Sequence, residues 1–190
     1  MSIKQVRMRV KNLTKLLLMI AENNVFIHPD VEFKRDFKLG KNIAIDKGVY
    51  VTVNCKIGDY THISPYVTII GGKEGYFECF GFNNIMSGAR IICASDRFDD
   101  SGLFGTLIPE KLKGKQIISP VIMEEFSNIG TNSIVMPGSI LRKGVLLTAG
   151  SLLIGDTEEW GVYKGNPAIL VKKINSDKII KNAKKMGYEF

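Results

Sequence analysis

The sequence predicts an all-β solenoid, a parallel β-helix. Three observations carry that prediction: an apolar period of six, a second inward position four residues after each member of the first, and turn-forming residues between them. The first series is Ile27, Phe33, Leu39, Ile45, Val51, Ile57, Ile63 and Ile69, without a miss. The second is Val31, Phe37, Ile43, Val49, Cys55 and Val67, with Thr61 as its one polar member. Gly58-Asp59, Gly130-Thr131-Asn132 and Pro137-Gly138 suit tight corners. A helix repeats every 3.6 residues and an alternating strand every two, so neither explains a six. A sustained six marks a repeat in which one short strand and one corner form one side of a prism. Three units complete a coil, and coils stack at the strand spacing of roughly 4.8 Å, each inward aliphatic on its equivalent.

Along the chain, residues 1–24 carry Lys and Arg and then Leu16-Leu17-Leu18-Met19-Ile20. That apolar run is too short to span a bilayer and shows no signal-peptide pattern. It predicts an amphipathic helical segment that packs on or caps the first coil, with no membrane insertion. The solenoid occupies 25–170. Its repeat breaks at Gly71-Gly72 and resumes with Ile85 and Ile91. After a second break near Asp96 it returns as Ile117, Met123, Ile129, Val135, Leu141, Leu147 and Leu153. In this last run the second inward position is Ser127, Ser133, Ser139, Val145 and Ser151. Residues 97–116 abandon the repeat and predict a protruding loop, the kind of insertion that builds a binding site on one face of a solenoid. The earlier break, Gly71 to Cys79, offers Tyr76 or Phe77 as a stacking surface. Residues 171–190 form a basic, helical tail.

With 190 residues and 45% apolar content, one domain with an ample core is expected. The three cysteines, Cys55, Cys79 and Cys93, show neither metal nor disulfide spacing and read as reduced thiols of a cytoplasmic protein. A net charge of +7 asks for an anionic partner. The basic residues are scattered and the aromatics follow no RNA-binding pattern, so nucleic acid is not the expected partner. Lys111, Lys113 and Lys115, and Lys172-Lys173 with Lys181, Lys184 and Lys185, are the denser clusters. A phosphorylated small molecule suits them equally well.

Ile129-Gly130-Thr131-Asn132, Pro137-Gly138, Ala149-Gly150-Ser151 and the closing Gly165-Asn166-Pro167-Ala168 with its basic tail carry a family likeness. The chain resembles the left-handed β-helix acyltransferases from Val25 to Ile174, and from Met123 to Leu170 it is similar to the maltose and galactoside acetyltransferase group. The left-handed winding is implied by that resemblance alone, since the general preference of parallel crossovers is right-handed. The resemblance further implies a homotrimer with sites in the clefts between subunits and acetyl-CoA lying along the coils. Ala149, Gly150 and Ser151 would then hold the pantetheine arm through backbone hydrogen bonds. Asn166 and Pro167 would lie near the adenine, and Lys172 and Lys173 would meet the CoA phosphates.

Sugar O-acetyltransferases of the group carry a histidine just before the loop, to deprotonate a hydroxyl. Here the stretch reads Ile91-Ile92-Cys93-Ala94-Ser95-Asp96-Arg97-Phe98, and Asp96 stands in the histidine's place. A carboxylate, with an ordinary pKa of about 4, is a poor base for an alcohol, whereas a sugar amine near 8 is already partly neutral at physiological pH. Ser95-Asp96 before a loop with Asp99-Asp100-Ser101-Gly102 resembles bacterial N-acetyltransferases of dTDP-linked 4-amino-4,6-dideoxy sugars, with dTDP-4-amino-4,6-dideoxyglucose the expected acceptor and surface-glycan (O-antigen) biosynthesis the setting. Asp96 is the catalytic candidate, and Ser95, Arg97 and Asn84 are acceptor-binding candidates. The alternative is an O-acetyltransferase with His62, one of only two histidines, as base. A γ-carbonic-anhydrase-like zinc enzyme on the same prism needs three histidine ligands and is excluded, so no metal is expected. A non-catalytic or ice-binding solenoid fits poorly with irregular loops and a CoA-end motif.

Overall fold

The computed structural model describes residues 22–189, and the proposed N-terminal helix lies outside them. Within that span the chain winds as a left-handed β-helix with three sheet faces. The first face runs Val25–Ile27, Ile43–Ile45, His62–Ile63, Asn84–Ile85, Asn128–Ile129, Leu146–Leu147 and Gly161–Gly165, all in parallel. The second runs from Glu32–Phe33 through Tyr50–Val51, Thr68–Ile70, Arg90–Ile92 and Ile134–Val135 to Leu152–Leu153. The third stacks Phe37–Leu39, Asn54–Asp59, Tyr76–Gly81, Val121–Met123 and Ile140–Leu141. Within the coils a strand therefore pairs with the equivalent strand one coil away, which is what the period requires.

The two inward series are the two buried positions of each strand. Ile43 and Ile45, then Ile63, Ile85, Ile129 and Leu147, stack up the first face and are almost fully buried. Each such side chain contributes about 1.5–3 kcal/mol relative to an exposed one. In the later coils the second position is serine at every member but Val145, buried like its aliphatic counterparts, and its hydroxyl is engaged. Ser127 Oγ donates to Glu124 O (2.7 Å) and Ser133 Oγ to Thr148 O (2.8 Å). The Ser133 and Ser151 hydroxyls also accept the Ser151 and Gly165 N–H groups, at 3.2 and 3.1 Å. A hydroxyl that bonds backbone carries little burial penalty, so serine can replace valine where strands are short.

The two interruptions differ from expectation in extent. The first is brief: the third face resumes at Tyr76, with Phe77 opposite Cys55 and Cys79 opposite Ile57. Phe77 is fully buried core, not a stacking surface, and the Tyr76 hydroxyl donates to Glu78 Oε2 (2.9 Å). The second is an antiparallel hairpin that leaves the edge between the second and third faces. Ala94–Asp96 pairs with Gln116–Ile118, and a single 3-10 turn, Glu110–Leu112, lies in its arm. Ile117 is thus a hairpin residue, 46% exposed, and not an inward member of the repeat, which returns at Val121. Ile117 occupies the correct phase of six, but the hairpin ladder takes up its backbone hydrogen bonds first.

At the corner before the first face, Asn24, Asn42, Tyr60, Phe82, Phe126 and Trp160 all adopt positive φ, with Gly144 in the same row. The side chains project outward there, so the aromatics stack on one another: Tyr60 on Phe82 and Phe82 on Phe126 at 5.0 Å, Phe126 on Trp160 at 6.0 Å. Trp160 spans the missing side chain of Gly144, whose Cα lies against its ring. The last coil ends in the antiparallel pair Gly161–Gly165 with Ala168–Lys173, so residues 171–173 belong to the sheet rather than to the tail. The helix Asp177–Lys185 follows, and Tyr188 returns edge-on to Tyr60 and Phe82 while its hydroxyl donates to Asp59 Oδ2 (2.7 Å).

Candidate active site

The hairpin base presents Asp96. Its carboxylate accepts Gln116 Nε2 at Oδ1 (2.9 Å) and the Gly105 N–H at Oδ2 (3.3 Å), so both oxygens are oriented by the arm itself. Ser95 Oγ donates to the Asp96 carbonyl (3.2 Å). Arg97 turns away to Asp99, Nε to Oδ2 3.0 Å, while the Ser101 hydroxyl and N–H, followed by Arg97, hold the Asp99 carboxyl below the ordinary range. Ser95 and Asp96 therefore share one short strand, and Arg97, just beyond its end, is partly neutralised by Asp99.

His62 and Asn84 stand elsewhere. Both project outward from the first face, in direct register on adjacent coils. His62 Nε2 lies 2.8 Å from Asp46 Oδ2, a carboxylate–imidazole pair in which the carboxylate orients the ring. Asp46 was not singled out from sequence. The signal was present: Asp46 follows inward Ile45 and His62 precedes inward Ile63, so an eighteen-residue coil makes them neighbours. The Asn84 Oδ1 atom is shielded from solvent and has no partner among the described residues. An unpaired buried acceptor costs about 1–3 kcal/mol, and a donor arriving from outside relieves that cost.

Within one chain, Asp96 and the His62–Asn84 row are not brought together. The row occupies the first face, and the hairpin leaves from the edge between the second and third, opposite it.

The late coils place the remaining candidates. Ala149 and Gly150 are exposed at the corner between the first and second faces, and Ser151 is buried. The Gly150 N–H donates to Thr131 O (2.8 Å) and the Ser151 N–H to Ser133 Oγ (3.2 Å), so both are engaged within the solenoid. Asn166 and Pro167, joined by a cis peptide, form the turn of the closing strand pair. Lys172 and Lys173 lie on its second strand. Lys173 pairs with Glu158 (2.8 Å), which raises its pKa, while Lys172 has no ion-pair partner among the described residues. The three thiols are buried, and burial pushes Cys55 up to about 12 and Cys79 and Cys93 to about 11. Among the described residues, no group of three His, Cys, Asp or Glu side chains is placed to hold a metal ion, and no helix is long and apolar enough to cross a membrane.

No protein-family model matches the chain. Two of the relatives that cover most of it are the following. A galactoside O-acetyltransferase from Lactococcus lactis is 28% identical over 92% of this chain and 72% of its own. A dTDP-4-amino-4,6-dideoxy-D-glucose acyltransferase from Escherichia coli is 27% identical over 70% of this chain and 69% of its own. Among solved structures, AntD, an N-acyltransferase from Bacillus cereus in complex with dTDP and 3-hydroxybutyryl-CoA, superposes with a TM-score of 0.80 at 28% identity, over 86% of each chain.

Proposed function

We propose N-acyl transfer from acetyl-CoA to the amine of a nucleotide-linked amino-deoxy sugar as the reaction of this chain, which is a hexapeptide-repeat left-handed β-helix acyltransferase. The observation that carries the choice of nitrogen is the carboxylate at the hairpin base. Asp96 is held by Gln116 and Gly105 where an oxygen acceptor would call for an imidazole. The likeness to AntD, crystallised with dTDP-4-amino-4,6-dideoxyglucose and CoA in one of its variants, points to a dTDP-linked 4-amino sugar.

In this reading the neutral amine attacks the thioester carbonyl, the C–S bond breaks and CoA leaves as the thiol. Asp96 orients the ammonium form, accepts the proton that the new amide must lose and hands it to the departing CoA sulfur. Asn84, with its unpaired Oδ1, receives a donor from the acceptor sugar. Because Asp96 and Asn84 occupy opposite sides of one prism, a site that uses both takes them from two copies, which supports a homotrimer with sites in the clefts. The exposed corner at Ala149 and Gly150, and Lys172 near the closing turn, form the CoA end. Three buried free thiols fit a reducing, cytoplasmic compartment.

A second reading rests on the Asp46–His62 pair, which has the geometry of an oriented general base and would suit a hydroxyl acceptor. Turnover of acetyl-CoA with a panel of dTDP- and UDP-linked amino sugars and matching hydroxyl sugars decides between them. Amide product from an amino sugar is expected. Ester product alone would overturn the nitrogen assignment.

A further inference from the structure

The first face carries a feature that the catalytic reading does not use. Its outward row continues below Asn84 in unbroken register: Asn84 opposite His62, His62 opposite Ala44, Ala44 opposite Phe26. Phe26 is a core-sized ring with 54% of its surface exposed, at the outward position of its strand. Ala44, one coil above, is too small to fill the space between Phe26 and His62. The result is a groove whose walls are Phe26, Ala44 and His62 on the face and Asn24, Asn42 and Tyr60 along the corner. Asn24 Nδ2 donates to Asn42 Oδ1 (2.9 Å). That single bond leaves the Asn24 carbonyl as an acceptor and the Asn42 amide as a donor, side by side.

We infer that this groove is the nucleobase subsite of the acceptor, with the base stacked against Phe26 and its polar edge on the Asn24–Asn42 amide pair. The inference rests on the reading of the acceptor as a nucleotide-linked sugar. Three things fit a pyrimidine there: an exposed aromatic face, adjacent donor and acceptor for an imide edge, and a collinear path to Asn84. Three coil spacings separate Phe26 from Asn84, roughly 14 Å at about 4.8 Å per coil. That is a span suited to the ribose and diphosphate between a base and its sugar. It also sets the acceptor toward the N-terminal coils, so that the nucleotide and CoA approach from opposite ends of the prism.

Binding of dTDP, followed by calorimetry on the intact protein, separates this inference from the reading beneath it. The wild-type protein is expected to bind dTDP. Phe26→Ala is expected to weaken it roughly 10- to 100-fold, the range of losing one base–aromatic stack, while Phe26→Tyr retains it. Asn42→Asp, which exchanges the amide donor for an acceptor, is expected to favour cytidine over thymidine diphosphate. Circular dichroism and the melting temperature of each variant report that the first coil is intact. A wild-type protein that binds dTDP with unchanged affinity in folded Phe26→Ala would overturn the subsite and leave the nucleotide-sugar reading standing. A wild-type protein that binds no nucleotide, yet acetylates a free amino sugar, would overturn both.

Discussion

Gly144 is the point at which the aromatic corner can be tested most directly. Its φ is +68, and an added Cβ would enter the six-membered ring of Trp160. Alanine at this position pays two separate costs. The left-handed conformation costs an L residue roughly 1–2 kcal/mol. Displacing Trp160 from Phe126 removes an aromatic pair worth about 0.5–1.5 kcal/mol. Gly150 provides the control, because its φ is +67 and no atom lies within 4 Å of its built Cβ. The backbone cost is common to both, so the difference between the variants isolates the ring. In a chain of this size each kcal/mol lowers Tm by about 2–4 °C. Gly150→Ala is therefore expected to fall by roughly 2–8 °C and Gly144→Ala by a further 1–6 °C. Trp160 is the single tryptophan, so its emission reports the corner alone. The expected result is a red shift in Gly144→Ala and none in Gly150→Ala. Equal melting temperatures with unchanged emission in both would refute the stacking of Trp160 across Gly144.

Three further outcomes are expected. Asp96→Asn is expected to lower kcat for amino-sugar acetylation by about 10²-fold or more while His62→Ala acts mildly, and the reverse order would favour the hydroxyl acceptor. Tyr188→Phe removes the hydrogen bond to Asp59, a loss of about 1–2 kcal/mol by chemical denaturation. That bond also pushes the Tyr188 phenol up to about 12, so its contribution is whole below the ordinary value near 10 and lost as pH rises from 10 to 12; the alkaline fall in stability should be shallower in Tyr188→Phe. The three buried thiols should react slowly with a disulfide reagent in the native state and completely in denaturant, measured as released chromophore.

The periodic part of this fold was readable residue by residue, because inward positions recur whatever their neighbours do. Ile45, Ile63, Ile85 and Ile129 lie on one face as the count of six requires. The count misled at Ile117, where phase alone cannot distinguish a coil from a hairpin that happens to share it. It also passed over Phe77 and Cys79, because a short insertion shifted the phase. Of the site, Asp96 was legible as a carboxylate at the chain's departure from the repeat. Its support by Gln116 was not, since that contact depends on the hairpin register. The Asp46–His62 pair needed the coil length rather than the hexad. The aromatic corner was invisible because Tyr60, Phe82, Phe126 and Trp160 are unevenly spaced in sequence and come into line only once both insertions are looped out.

The buried seryl hydroxyls have a consequence beyond filling the core. Each ties its strand to a backbone atom of the same or the next coil, so a coil can neither slide nor tilt against its neighbour without breaking a bond inside the prism. The wall between Asn84 and Ala149 therefore behaves as a graduated ruler whose only divisions are whole coils. Adding or deleting eighteen residues in this stretch would lengthen or shorten it by one division of about 4.8 Å, with the side chains above and below still aligned. Reach along such a wall is changed in integer steps, and everything finer is left to the loops.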